Sequence, residues 1–142
     1  MLWSRYREAV GGWLRPLAAL LLRFGVSPNA LTLATLALGA LVCAWFVRSQ
    51  AILPFCVAIT GVGCLEVLDG LLARLGGRVT PWGGYLDAMC DRYFEAMVVL
   101  ATAAVTGYWG LSLLALTGSL LVSYAKARAA LEVPVSNQEW PD

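Results

Sequence analysis

Three stretches of this chain carry no charge at all: Ala30 to Val47, Ala51 to Leu65, and Ala96 to Ala125. A helix crossing the hydrocarbon core of a bilayer needs about 20 mostly apolar residues. The first stretch is close to that length, and the second reaches it by running into a charged island. The third is too long for one crossing, and Gly107-Tyr108-Trp109-Gly110 divides it with two ring side chains suited to a membrane interface. Lipid offers the backbone no hydrogen-bond partners, so spanning segments of this kind are helices. The chain therefore reads as an all-α, polytopic membrane helical bundle with transmembrane helices over 30–49, 51–75, 84–106 and 110–130. At 142 residues it is a single membrane domain, and 60% hydrophobic against 13% charged residues is far more apolar than a soluble domain. A net charge of +1 points to no nucleic-acid partner.

Residues 1–24 follow another pattern. Trp3, Tyr6, Val10, Trp13, Leu14, Leu17, Leu20 and Leu21 recur at helical spacing, with Arg5, Arg7, Glu8 and Arg15 between them. That predicts an amphipathic helix lying along the membrane surface, with an ordinary packing helix as the alternative. The arginines interrupt any signal-peptide core, and Gly25-Val26-Ser27-Pro28-Asn29 reads as a turn into the next helix. If the N-terminus is cytoplasmic, that side holds Arg5, Arg7, Arg15, Arg23, Arg74, Arg78, Lys126 and Arg128, and the other side Arg48 alone. Such a bias predicts an integral membrane protein with its N-terminus inside; the membrane is read as a prokaryotic cytoplasmic one. Cys43, Cys56, Cys64 and Cys90 lack metal-ligand spacing and read as small core residues.

The charged island runs from Leu65 to Asp91 and holds four acids, two arginines and five glycines. Glu66 and Asp69 are three apart and Asp87 and Asp91 four apart, so each pair shares a helix face. Gly70 and Ala73 leave room beside the first pair. The short linker over 76–84 predicts that the two helices are antiparallel neighbours, with four carboxylates facing one another at the cytoplasmic boundary. Like charges so placed repel, and a divalent cation removes that cost; carboxylates suit Mg²⁺, Mn²⁺ or Ca²⁺. The alternative is that the acids pair with Arg74, Arg78 and Arg92. The chain has no histidine, which leaves a carboxylate as the candidate general base.

These spacings resemble the signature of the CDP-alcohol phosphatidyltransferase family, D-x2-D-G-x2-A-R-x8-G-x3-D-x3-D. Asp69, Gly70, Ala73, Arg74, Gly83, Asp87 and Asp91 all fit, and Glu66 stands where the pattern has aspartate. Milder likenesses lie in Ser27-Pro28-Asn29-Ala30-Leu31-Thr32 and in Ser123-Tyr124-Ala125-Lys126-Ala127-Arg128, so the resemblance covers essentially the whole chain.

The resemblance implies a membrane enzyme of phospholipid biosynthesis. It would transfer a phosphatidyl group from CDP-diacylglycerol, or a related CDP-lipid, to an alcohol acceptor and release CMP. Carried over by position, Glu66, Asp69 and Asp87 would hold a pair of Mg²⁺ or Mn²⁺ ions on the diphosphate. Asp91 would be the catalytic base and also touch a metal. Gly70, Ala73, Arg74 and Gly83 would form the CDP site. Lys126 and Arg128, ending the fourth span on the same side, are candidates for a phosphate on the acceptor, which could be glycerol 3-phosphate, inositol phosphate or an unphosphorylated alcohol such as serine. A homodimer is compatible with this reading. The family usually has six spans, and the close over 132–142 reads as the middle of a loop, which predicts a fragment. Two rival readings use the same residues: a cation channel or transporter, and a catalytically inactive membrane scaffold.

Overall fold

The computed structural model describes residues 15–132, and every element in it is a helix. The first, α1, is helical over 15–23; the others are α2 (Pro28–Ser49), α3 (Ile52–Leu75), α4 (Pro81–Thr106) and α5 (Trp109–Glu132). Most of the expected surface helix (1–14) and the closing polar segment (133–142) lie outside the described residues.

Two helices begin earlier than the apolar runs suggest, for one reason. Pro28 and Pro81 sit in the first turn, where a missing N–H is no loss. The residue before each proline caps the helix: Ala30 N–H donates to Ser27 Oγ at 3.2 Å, and Gly83 N–H to Thr80 Oγ1 at 3.0 Å. The Ser-Pro and Thr-Pro pairs are therefore helix starts, not the tail of the preceding loop.

Helix α2 packs against both α3 and α4, and α5 packs against α4. Among the described residues, the backbones of α3 and α4 do not pack directly on one another, although a short turn joins them. This corrects the expectation of adjacent neighbours. α2 approaches α4 closely because Gly39 faces the Phe94 ring, where a Cβ would stand only 2.5 Å from a ring carbon. Away from that contact, Cys43, Phe46, Phe55 and Ala101 form a buried cluster, with the Phe46 and Phe55 rings stacked at 3.9 Å. A second cluster joins Ala18 of α1 to Leu68, Leu71 and Leu72 of α3. The described part of α1 is thus docked on the bundle, while Leu17 and Leu20 remain exposed. Cys43 and Cys90 are buried, but Cys56 and Cys64 are exposed, so only half of the cysteines fill the interior.

Three helices, α2, α3 and α5, are long and apolar enough to cross a bilayer, and much of their apolar surface is exposed. A membrane supplies the apolar surroundings such a surface requires. The chain is an integral membrane protein. α4 is the exception in composition, because Asp87, Asp91, Arg92 and Glu95 all lie along it. Arg92 is itself satisfied: Nη1 pairs with Glu95 Oε2 at 2.7 Å and donates to Ser123 Oγ at 2.9 Å and Ser119 Oγ at 3.2 Å on α5.

Candidate active site

A cavity of about 260 Å³ opens where the start of α2, the end of α3 and the start of α4 meet. From α2 it takes Pro28, Asn29 and Thr32; from α3, Asp69, Gly70, Ala73 and Arg74. The turn and α4 complete it with Arg78, Val79, Thr80, Gly83, Gly84 and Asp87. Six of the eight signature positions therefore line one space. Local geometry accounts for this: positions 69, 70, 73 and 74 follow the i, i+3, i+4 ridge of one helix end. Positions 83 and 87 repeat that step on the next helix.

Gly83 is needed for the closeness of the walls. A Cβ there would lie 3.0 Å from Thr80 Oγ1 and 3.2 Å from Asn29 Oδ1, so a side chain would push the first turns of α2 and α4 apart. Gly70, by contrast, meets only Arg74 Nη2 at 3.9 Å, which leaves open space over the backbone.

The acids are not equivalent. Asp69 is only 3% exposed. Its Oδ2 accepts a hydrogen bond from Thr32 Oγ1 at 2.6 Å, and its Oδ1 accepts one from Gly70 N–H at 2.6 Å. Asp87 lines the cavity and is half-buried. Glu66 and Asp91 do not line it; each sits one turn deeper along its helix, also half-buried. Glu66 nonetheless lies within electrostatic reach of Asp91, Asp69 and Asp87. As the side chains stand, no three described acids converge closely enough to hold an ion together. The four-way facing expected from the sequence is thus staggered into a cavity pair and a deeper pair. α2 packs against both acid-bearing helices, and Asp69 turns one oxygen toward it.

None of these four acids has a cationic partner among the described residues, where the ion pairs are Arg92–Glu95 and Arg128–Glu132. The alternative reading, ion pairs with Arg74, Arg78 or Arg92, does not form among the described residues. Acids this close together and without an ion pair repel one another, and a divalent cation would relieve that repulsion. Arg74 and Arg78, both exposed at the cavity rim, supply two positive charges beside them.

Lys126 and Arg128 lie elsewhere. Both are exposed near the end of α5 and do not line the cavity, and Arg128 pairs with Glu132 one turn on. Sequence reasoning gave no site role to Thr32, Asn29, Thr80 or Arg78. The first two stand in the Ser-Pro-Asn-Ala-Leu-Thr stretch that carries one of the milder likenesses, and Arg78 reads from the sequence as a cytoplasmic charge and an alternative partner for the acids.

The departure from the signature at Glu66 can be tested. Glu66→Asp is expected to preserve or raise activity, since it withdraws a carboxylate that reaches roughly one bond, about 1.5 Å, farther than an aspartate. Steady-state rates check this; a loss beyond about tenfold, roughly 1.4 kcal/mol of barrier, would mean the pocket has adapted to glutamate.

The chain resembles known proteins over the stretch that contains these residues. The family profile described as CDP-alcohol phosphatidyltransferase matches residues 25–140. The chain is 34% identical over 130 residues to archaetidylinositol phosphate synthase of Pyrococcus horikoshii, covering 90% of this chain and 68% of that protein. It is 30% identical over 122 residues to phosphatidylinositol phosphate synthase of Corynebacterium glutamicum, covering 80% of this chain and 55% of that one. The crystal structure of Mycobacterium tuberculosis phosphatidylinositol phosphate synthase in complex with manganese and citrate superposes with a TM-score of 0.75 at 26% identity, over 82% of this chain and 59% of that chain. The chain thus spans between about half and two thirds of the length of these relatives.

Proposed function

This chain belongs to the CDP-alcohol phosphatidyltransferase family, and from that premise we propose that it moves a phosphatidyl group from a CDP-linked lipid to an alcohol, releasing CMP. The observation that carries the proposal is the cavity, which gathers six signature positions, Arg74 among them, and Arg78 beside acids that form no ion pair among the described residues. Transfer between phosphate oxygens needs positioning and charge neutralisation more than covalent help from the protein, and these groups supply both.

In this reading Glu66, Asp69 and Asp87, with Asp91 in contact, would hold divalent metal, as two ions of Mg²⁺ or Mn²⁺. When bound, the metal neutralises the diphosphate and polarises the phosphorus that is attacked. The manganese in the Mycobacterium tuberculosis relative supports the choice of ion. Arg74 and Arg78 carry the charge that grows on the phosphate of the departing CMP. Gly70 and Ala73 keep the wall low enough for the nucleotide to lie against α3, and Gly83 keeps the opposite wall close. Asp91 takes the proton from the acceptor hydroxyl; that oxygen bonds to the lipid-bearing phosphorus, and the bond from this phosphorus to the CMP oxygen breaks. The acyl chains remain in the bilayer, because the cavity sits at the ends of the helices.

The names of the two sequence relatives favour inositol phosphate as acceptor over the other alcohols. An acceptor phosphate needs a cation beyond those on the CDP, and Lys126 and Arg128 are the proposed source. Arg128 would have to leave Glu132, which is cheap because exposed ion pairs contribute about 0–1 kcal/mol. The surplus of arginines at this end of the bundle supports a site on the cytoplasmic face.

Thermal unfolding of the detergent-solubilised chain tests the nucleotide site. CDP is expected to raise the midpoint when Mn²⁺ is present and to have no effect in chelator. A midpoint that follows the metal but ignores CDP would instead favour the transporter reading.

A further inference from the structure

Two buried threonines lie one turn apart on the inner face of α2, and only one of them has a partner across the interface. Thr32 is 8% exposed and its Oγ1 lies 2.6 Å from Asp69 Oδ2. Thr35 is 2% exposed and its Oγ1 has no hydrogen-bond partner among the described residues. We propose that Thr32 is a positioning residue, whose hydroxyl orients the Asp69 carboxylate for metal; the inference rests on the reading of Asp69 as a metal ligand.

The geometry of the hydroxyl carries this. Thr32 Oγ1 also stands 3.1 Å from the Pro28 carbonyl oxygen, the usual partner of a threonine turned back on its own helix. It has one proton to give. The contact to the carboxylate is the shorter, and a hydrogen bond to an ionised acceptor is roughly twice as strong as one to a neutral acceptor. The proton therefore goes to Asp69. With Gly70 N–H on its other oxygen, Asp69 is fixed at both ends, while each oxygen keeps a lone pair for an ion. Asp87 lines the same cavity without a hydrogen bond from the described residues to hold it in one orientation. Asp69 is thus the ligand set in place beforehand, and α2 sets it.

This arrangement also joins two parts of the site. Pro28 and Asn29, on the turn before Thr32, line the cavity, so one helical turn both forms a wall and orients a ligand. Bonds to a ligating carboxylate from outside the coordination sphere matter in proportion: their removal costs about 10–100-fold in metal affinity.

Mn²⁺ binding to the purified chain, read by the loss of the free-ion electron paramagnetic signal, tests the inference without any turnover. Thr32→Val is expected to weaken Mn²⁺ binding by about 10–100-fold, and Thr32→Ser, which restores the hydroxyl, to bind within about threefold of the parent. Thr35→Val removes an equally buried hydroxyl that touches no acid, and is expected to bind as the parent does. If the valine at 32 prevents folding, Thr32→Ala removes the same hydroxyl without added bulk and gives the same comparison. Parent-like binding in Thr32→Val, with binding lost in Asp69→Asn, overturns the role of Thr32 and leaves Asp69 a ligand. Equal weakening in the Thr32 and Thr35 valine variants, or in Thr32→Ser and Thr32→Val, assigns the effect to packing and also overturns it. Parent-like binding in Asp69→Asn removes the metal-ligand reading itself, and the inference falls with it.

Discussion

Asp91→Asn is expected to lower the turnover number by about 10²–10⁴-fold, the usual contribution of a general base, or roughly 2.7–5.5 kcal/mol of barrier. The amide cannot take the proton from the acceptor hydroxyl. The chain has no histidine to substitute for it. Asp91 sits one turn below the cavity and does not line it, so the Michaelis constant for the CDP-lipid should change little at saturating Mn²⁺. That split between rate and substrate affinity separates a base from a wall residue. A variant that keeps its rate, or that loses rate only through weaker CDP-lipid binding, would move the base elsewhere, with Glu66 and Asp87 as the next acids to test.

Asp69→Asn should abolish the metal-dependent response to CDP. A ligand at a hundredfold excess over its Kd stabilises by about 2.7 kcal/mol, and the whole of that increment should vanish. The variant should still fold. An asparagine keeps an oxygen to accept from Thr32, and the surrounding leucine cluster of α3 is untouched. Circular dichroism and elution volume check the fold while thermal unfolding checks the response. A CDP response that survives in Asp69→Asn and still needs metal would take this carboxylate out of the site.

The two variants probe features that were legible to different degrees. The helices could be read almost directly, because uncharged runs in a chain this apolar have few alternatives; only the starts at Pro28 and Pro81, set by Ser-Pro and Thr-Pro caps, lie outside those runs. The acids on each face were equally legible, since spacings of three and four are local. What could not be read is anything that depends on which helices touch. α2 packs closely on α4 because Gly39 admits the Phe94 ring, and no local pattern distinguishes that glycine from others in the apolar runs. The bond between Thr32 and Asp69, which are 37 residues apart, likewise depends on which helices touch. Arg78 was visible as a charge, but its place on the cavity wall depends on how the 76–80 turn folds back over Ala73, whose carbonyl accepts from Arg78 N–H at 2.9 Å.

The most direct test of the proposed transfer is CMP release from CDP-diacylglycerol by the purified chain in mixed micelles, with Mn²⁺ or with chelator, across a panel of acceptors. The account predicts release that requires both the metal and an alcohol, is fastest with inositol phosphate, and is lost in Asp91→Asn. Release that proceeds without metal, or no release in a sample that binds CDP and Mn²⁺, would contradict it.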